Sequence, residues 1–323
     1  MRDAILNFAK QFAFDPVVVH REKLRHYEGF VVAGMGGSHL AADLLRAVKP
    51  ELGLITHSDY GVPEDLTPER RNRMLFIASS YSGNTEETRD ALAAARERDM
   101  DVAVISVGGK LLAQAKGENI PYIQLPDTGI QPRSALGLSL NALLRLMGEE
   151  ALLSQARTLA RILNPAELEA PGKALAVRLQ HKIPVIYASR RNAPVAYNWK
   201  IKFNETGKIP AFCNSIPELN HNAMTGFDVK ESTRSLSGNF CFILLKDARD
   251  DPRVSKRMDV LEHLYLQQGL SVEVHPLSGS DIFSRLFSSL LLADWAALYT
   301  AEQYGLEAEQ VPIVEAFKQL LSQ

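Results

Sequence analysis

Ser80-Tyr81-Ser82-Gly83-Asn84-Thr85-Glu86-Glu87-Thr88 carries three hydroxyls, at positions 80, 82 and 85, around a single glycine. Such a turn can converge on one anion, with its own amides assisting. One serine or threonine at this place could simply cap a helix. Capping accounts for one hydroxyl, and three argue for a phosphate cradle. No Gly-Lys-Ser or Gly-Lys-Thr follows, so the segment is not a nucleotide P-loop. A second turn, Gly34-Met35-Gly36-Gly37-Ser38, is rich in glycine. Its glycines would let the backbone approach an anion closely, and a following helix would add N–H groups and a favourable dipole. As a dinucleotide fingerprint it fails, because the third glycine would fall at His39. Taken alone, it reads equally as tight packing between a strand and a helix.

Both turns need a strand before them and a helix after them, and the pattern supplies both. Apolar runs at Phe30–Ala33, Leu52–Ile55, Met74–Ala78, Val102–Ile105 and Tyr122–Leu125 predict strands. Helical patterns lie between them, notably around Leu40, Leu44 and Leu45 and from Glu86 to Arg98, and a long helical stretch from Ser134 to Leu163 closes this half. The second half repeats the style. It has strands at Pro184–Ala188, Phe240–Leu245 and Val272–Val274, helices at Ala193–Asn204 and up to Gln268, and two final helices, the last from Pro312. Strands alternating with helices predict an α/β fold with parallel sheets. Doubly wound sheets bind ligands at the carboxyl ends of strands near a topological switch point, where both turns would fall. Asn164-Pro165 and Ala170-Pro171-Gly172 supply breakers that suit a connection. They predict one domain over residues 1–163, with a leading helical segment, and another over 164–323.

The whole chain sets the remaining bounds. It has 323 residues, 46% apolar and 23% charged, with a formal net charge of -2. No long basic run points to nucleic acid or an anionic membrane, so an anion site must be local. Cys213 and Cys241 are too few for a disulfide framework and read as small apolar side chains. The start, Met1-Arg2-Asp3-Ala4-Ile5-Leu6, has no signal-peptide core. The apolar stretch Leu286 to Leu298 is interrupted by Asp294 and reads as too short to span a bilayer. A cytoplasmic protein is the expectation. The histidines at 20, 26, 39, 57, 181, 263 and 275 form no HxH or HExxH spacing, so no metal and no other cofactor is expected.

The two turns belong to a longer series. Gly36-Gly37-Ser38, the Ser80–Thr88 segment, Pro132-Arg133-Ser134-Ala135-Leu136-Gly137, Lys202-Phe203-Asn204-Glu205 and Ser215-Ile216-Pro217-Glu218-Leu219-Asn220-His221-Asn222 follow one another in that order. In this the sequence resembles the SIS (sugar isomerase) family, and within it the bifunctional phosphoglucose/phosphomannose isomerases, from about residue 29 to the C-terminus. The resemblance implies two tandem SIS domains, each a doubly wound, flavodoxin-like parallel sheet flanked by helices, assembled as a homodimer. The implied substrates are glucose 6-phosphate and fructose 6-phosphate, with mannose 6-phosphate a further one. Gly36, Gly37, Ser38, Ser80, Ser82 and Thr85 would hold the phosphate.

Aldose–ketose isomerisation moves a proton between C2 and C1 through an enediolate. It needs a partly desolvated base, a donor for the oxyanion, and an acid/base pair that opens the ring. By composition Glu205 is an ordinary exposed glutamate, and the resemblance makes it the base. His221 matches the ring-opening histidine, which in relatives reaches the partner subunit's active site. Lys318 matches a C-terminal lysine that acts with that histidine. Arg133, fixed after Pro132, could stabilise the enediolate or position substrate oxygens, or form a surface ion pair. Relatives commonly carry glycine at His39, which could point away from the ligand, narrow the pocket or donate to it. Many members have Thr-Pro where this chain has Val311-Pro312, a hydroxyl associated with handling both C2 epimers. A non-catalytic phosphosugar sensor, or an isomerase of another phosphosugar, are the alternative functions.

Overall fold

Five short strands form the first sheet, in the order β2-β1-β3-β4-β5, with every pair parallel. They are β1 (Gly29–Ala33), β2 (Leu54–His57), β3 (Met74–Ser79), β4 (Asp101–Ser106) and β5 (Tyr122–Gln124). β1 and β3 are buried along their whole length, as expected of central strands covered by helices on both faces. Helix Glu86–Glu97 contributes Ala91 and Ala95 to a core with Val31 and Phe76. The computed structural model describes residues 1–321. It divides into two compact units, one of residues Asn7–Leu163 and one joining Met1–Leu6 to the chain from Asn164 onward.

The second unit has its own parallel sheet, ordered β7-β6-β8-β9. Its strands are β6 (Ile183–Ser189), β7 (Phe212–Ile216), β8 (Phe240–Lys246) and β9 (Ser271–Pro276). Each unit is thus a doubly wound parallel sheet flanked by helices. Cys241 is buried in β8, where burial, then the Glu273 charge, pushes its thiol up to about 12, while Cys213 on β7 is half-buried.

Several expectations need correction. The second strand begins at Leu54, because Pro50–Leu52 is a 3-10 turn and Gly53 takes φ +59°. The stretch from Ser134 to Leu163 is not one helix. It divides into Leu136–Leu146, Glu150–Arg157 and Leu159–Ile162, with the first break at Gly148, φ +71°. β7 has no counterpart among the expected strands, since Phe-Cys-Asn-Ser-Ile is polar at its centre and lies on a sheet edge.

Ala170-Pro171-Gly172 does not break the chain either, for it lies inside helix Glu169–Arg178. Pro171 sits in the first turn, where a missing N–H costs no intrahelical bond. Gly172 lets the helix approach helix Ile282–Gln303 closely, since a Cβ there would lie 2.3 Å from the Cβ of Trp295. Ile282–Gln303 also corrects the reading of the apolar stretch as too short. Its 22 residues are long and apolar enough to cross a membrane by length and composition, yet 78% of the apolar window is buried inside the protein. Asp294 within it pairs with Lys202 at 2.6 Å, and their side chains are 5% and 2% exposed. The last helix, Pro312–Leu321, has no buried residue, and Ile313, Phe317 and Leu320 are 83%, 61% and 68% exposed.

Gly172→Ala tests the helix contact. Propensity alone favours alanine by about 1 kcal/mol, whereas overpacking costs about 1–3 kcal/mol. The variant should therefore melt below wild type in thermal unfolding despite its better helix former.

Candidate functional site

Strand order places both glycine turns side by side. Ala33 of β1 is in register with Ala78 of β3, so the turns leave adjacent strands at the same level. β1 is flanked by β2 and β3 by β4, so the chain order reverses between β1 and β3. That is the switch point of the 2-1-3-4-5 order, where a crevice opens at the strands' carboxyl ends.

Hydrogen bonds lace the two turns together. Ser79 Oγ donates to the Ser38 carbonyl at 2.9 Å, and the Tyr81 N–H donates to Ser38 Oγ at 3.0 Å. Because Ser38 Oγ accepts here, its own proton can be turned toward an anion. Ser80 Oγ and Thr85 Oγ1 lie 2.9 Å apart, and Ser80 Oγ also accepts from the Gly83 N–H at 3.1 Å. Ser82 Oγ accepts from the Asn84 N–H at 3.3 Å. Thr85 occupies the N-cap of helix Glu86–Glu97 but makes no side-chain cap bond. Its hydroxyl faces Ser80, so capping is not its work. Ser80 is buried at 1% exposure, Thr85 is half-buried and Ser82 is exposed, a gradient suited to a group entering from solvent.

Glycines let this cradle close on its supports. Gly83 has φ +71°, and a Cβ there would lie 1.9 Å from the Gly108 carbonyl oxygen. Gly37 packs against the Pro132–Ser134 turn, where a Cβ would come within 2.5 Å of the Arg133 nitrogen. Gly36 has φ +51° and open space beside it. Arg133 is therefore carried next to the first turn, and at 2% exposure it is not the surface ion-pair residue of the alternative reading.

Three supporting residues escape sequence reasoning. Gln11 holds the Arg133 segment by donating to the Ser134 carbonyl at 2.7 Å and accepting from the Gly137 N–H at 3.0 Å. Ser106 donates to the Gly108 carbonyl at 2.8 Å, and Asn84 Oδ1 accepts from the Lys110 N–H at 3.1 Å. The Gly108-Gly109 pair after a predicted strand was a visible signal for the last two, whereas nothing marks a lone glutamine. His39 is buried with Nδ1 2.7 Å from Asp43 Oδ2, so that nitrogen is engaged within its own helix region.

The remaining candidates lie in the second unit. Glu205 ends helix Ala193–Glu205 and is half-buried. His221 closes the 3-10 turn Glu218–His221 and is exposed. Lys318 lies on the terminal helix, exposed and 2.9 Å from Glu315. The three thus stand on three separate elements. Among the described residues no group of three or more His, Cys, Asp or Glu is placed to hold a metal ion.

The second sheet has a switch point as well, between β6 and β8, but its chemistry is opposite. Ser189 Oγ donates to Asp250 Oδ1 at 2.7 Å, and Asn192 Nδ2 reaches Asp247 Oδ2 and Asp250 Oδ1, each at 3.2 Å. Two carboxylates there repel a phosphate. Burial, then the Asp247 charge, raises the Asp250 carboxyl above its ordinary value against the Ser189 hydrogen bond.

The family model for the bacterial phospho-glucose isomerase C-terminal SIS domain matches residues 168–321. A bifunctional phosphoglucose/phosphomannose isomerase of Aquifex aeolicus is 31% identical over 97% of this chain and 96% of its own. The chain belongs to that family. A second member, from Caldicellulosiruptor bescii, is 32% identical over 93% of this chain and 91% of its own. A solved structure of a hypothetical protein from Thermus thermophilus has the same fold, with TM-score 0.74 at 18% identity, over 99% of this chain and 90% of that one. The bifunctional-isomerase family thus covers both units, including the hydroxyl cradle that lies outside the matched C-terminal domain model.

Two predictions follow the geometry. Thr85→Val keeps the shape and removes one hydroxyl, so inorganic phosphate should bind about 10-fold more weakly by calorimetry, the scale of a hydrogen bond to a charged group. Asp250→Asn keeps an acceptor for Ser189 and removes a charge whose ionisation is disfavoured by burial. A carboxyl raised on folding contributes stability below the ordinary carboxyl range and loses it as pH rises through the raised value. The variant should therefore be more stable than wild type at pH 7, and chemical denaturation should show the gain shrinking toward pH 4.

Proposed function

We propose that the chain interconverts glucose 6-phosphate and fructose 6-phosphate by proton transfer through an enediolate. It is an aldose–ketose isomerase of the sugar-phosphate class. The near full-length likeness to bifunctional phosphoglucose/phosphomannose isomerases carries this reading, and the Ser80/Thr85 hydroxyl pair at the β1/β3 switch point supports it. The resemblance implies a threonine where this chain has Val311, so mannose 6-phosphate is proposed as the slower substrate.

In this reading Ser38, Ser80, Ser82, Thr85 and the amides of Gly36 and Gly37 take the phosphate oxygens. Charge-assisted hydrogen bonds of that kind are roughly twice as strong as neutral ones, which anchors a small, very soluble ligand. Glu205 takes the proton from C2 and returns it to C1. Arg133, buried and permanently charged, stabilises the enediolate oxygen. His221, with Lys318, opens the sugar ring. The homodimer belongs to the proposal, with His221 of one protomer serving its partner's site. The exposure of His221 and the uncovered Ile313, Phe317 and Leu320 support an assembly of that kind, since such apolar patches mark interaction sites. A cytoplasmic location completes it.

Glu205→Gln keeps the shape of the base and removes its basicity. Turnover of fructose 6-phosphate in a coupled assay should fall by at least about 100-fold, the lower end of general-base contributions, while inorganic phosphate binds as in wild type. Retained turnover would take Glu205 out of the base role.

A further inference from the structure

Helix Ala193–Glu205 ends in an unusual way. The N–H groups of Thr206 and Gly207 both donate to the Lys202 carbonyl, at 2.9 and 3.0 Å, and the Ile209 N–H donates to the Phe203 carbonyl at 3.2 Å. Asn204 Nδ2 closes the turn from the other side on the Ile209 carbonyl at 3.0 Å. Gly207 approaches the helix so closely that a Cβ would lie 2.8 Å from the Phe203 carbonyl oxygen. The next residue, Lys208, then adopts φ +57°, a left-handed backbone that glycine would take without penalty. In a lysine that conformation crowds Cβ against the following carbonyl oxygen.

The lysine side chain shows what offsets that strain. Its ammonium donates to the Glu205 carbonyl at 2.6 Å and to the Gln310 carbonyl, so one cation bridges two distant stretches of backbone. A positive charge is also favourable at a helix C-terminus, where carbonyls lack intrahelical donors. The Gln310 side of the bridge is ordered in its own right. Glu307 accepts from the N–H groups of Glu309 and Gln310 at 2.7 and 2.6 Å. Val311 and the terminal helix bearing Lys318 follow directly.

We propose that Lys208 is a positioning residue, a strap that ties the Glu205 end of its helix to the 307–310 loop. It fixes where the base sits and couples that position to the segment leading into Val311 and Lys318. The inference rests on the reading of Glu205 as the base. It explains why a strained left-handed lysine stands where a glycine would suffice for the turn.

The test compares Lys208→Gly, Lys208→Met and Lys208→Arg with Glu205→Gln, measuring kcat and KM for fructose 6-phosphate together with Tm. Lys208→Gly suits the left-handed turn while removing the ammonium, so fold and strap are separated. The strap predicts that Lys208→Gly keeps its Tm and KM but loses about 10- to 100-fold in kcat, as expected for a misplaced catalytic group. Lys208→Met should lose as much, and Lys208→Arg should recover most of the loss. Wild-type kcat in Lys208→Gly or in Lys208→Met, beside an inactive Glu205→Gln, would overturn the strap and leave the base reading intact. An active Glu205→Gln would overturn the base reading and the strap with it.

Discussion

The reversal of strand order between β1 and β3 is the constraint on which the site depends. Parallel strands need right-handed crossovers, so connections that leave neighbouring strands in opposite directions cannot cover the gap between them. What fills that gap is decided by the turns. Here both turns carry glycine and serine, and the glycines bring them within main-chain contact of their supports. Gly83 lies against the Gly108 carbonyl and Gly37 against the Pro132–Ser134 turn, at separations that no Cβ would permit. The polar hydroxyls of Ser38, Ser80 and Thr85 are thereby held near one another by the backbone itself.

The second sheet shows that topology alone does not decide which side chains gather at a switch point. Its strands are ordered in the same sense, and β6 and β8 stand where β1 and β3 stand in the first. Yet Asp247 and Asp250 lie at the end of β8, satisfied by Ser189 and Asn192. The same architecture holds an internal carboxylate network in one unit and a hydroxyl cradle in the other. The second unit instead carries Glu205 at the end of a helix that packing holds in place. The buried Lys202–Asp294 pair and the Gly172–Trp295 approach fix the helices around Ile282–Gln303, including the one that ends at Glu205.

Much of this was legible in the sequence, for identifiable reasons. Central strands such as Met74–Ser79 are buried on both faces and read as continuous apolar runs. The Ser80–Thr85 turn declares itself because three hydroxyls exceed what capping requires. Legibility failed where tertiary packing overrode local signals. Pro171-Gly172 looks like a breaker but sits in a first helical turn, and its glycine is explained only by Trp295. β7 is an edge strand with a polar centre, so no apolar run marks it. Gln11 and Lys208 act through main-chain carbonyls far away in sequence, and such partners leave no local pattern. Glu205, His221 and Lys318 are each ordinary polar residues by local pattern, so only the family resemblance proposes them as site residues.

The central claim is that a base moves a proton between C2 and C1 of a hexose 6-phosphate. Incubation of the protein with glucose 6-phosphate in deuterium oxide, with EDTA present, tests it most directly by NMR of the product. The account predicts fructose 6-phosphate in which a fraction of molecules carries solvent deuterium at C1. Isomerisation that stops with EDTA, or that leaves no deuterium in either sugar phosphate after many turnovers at equilibrium, would contradict it.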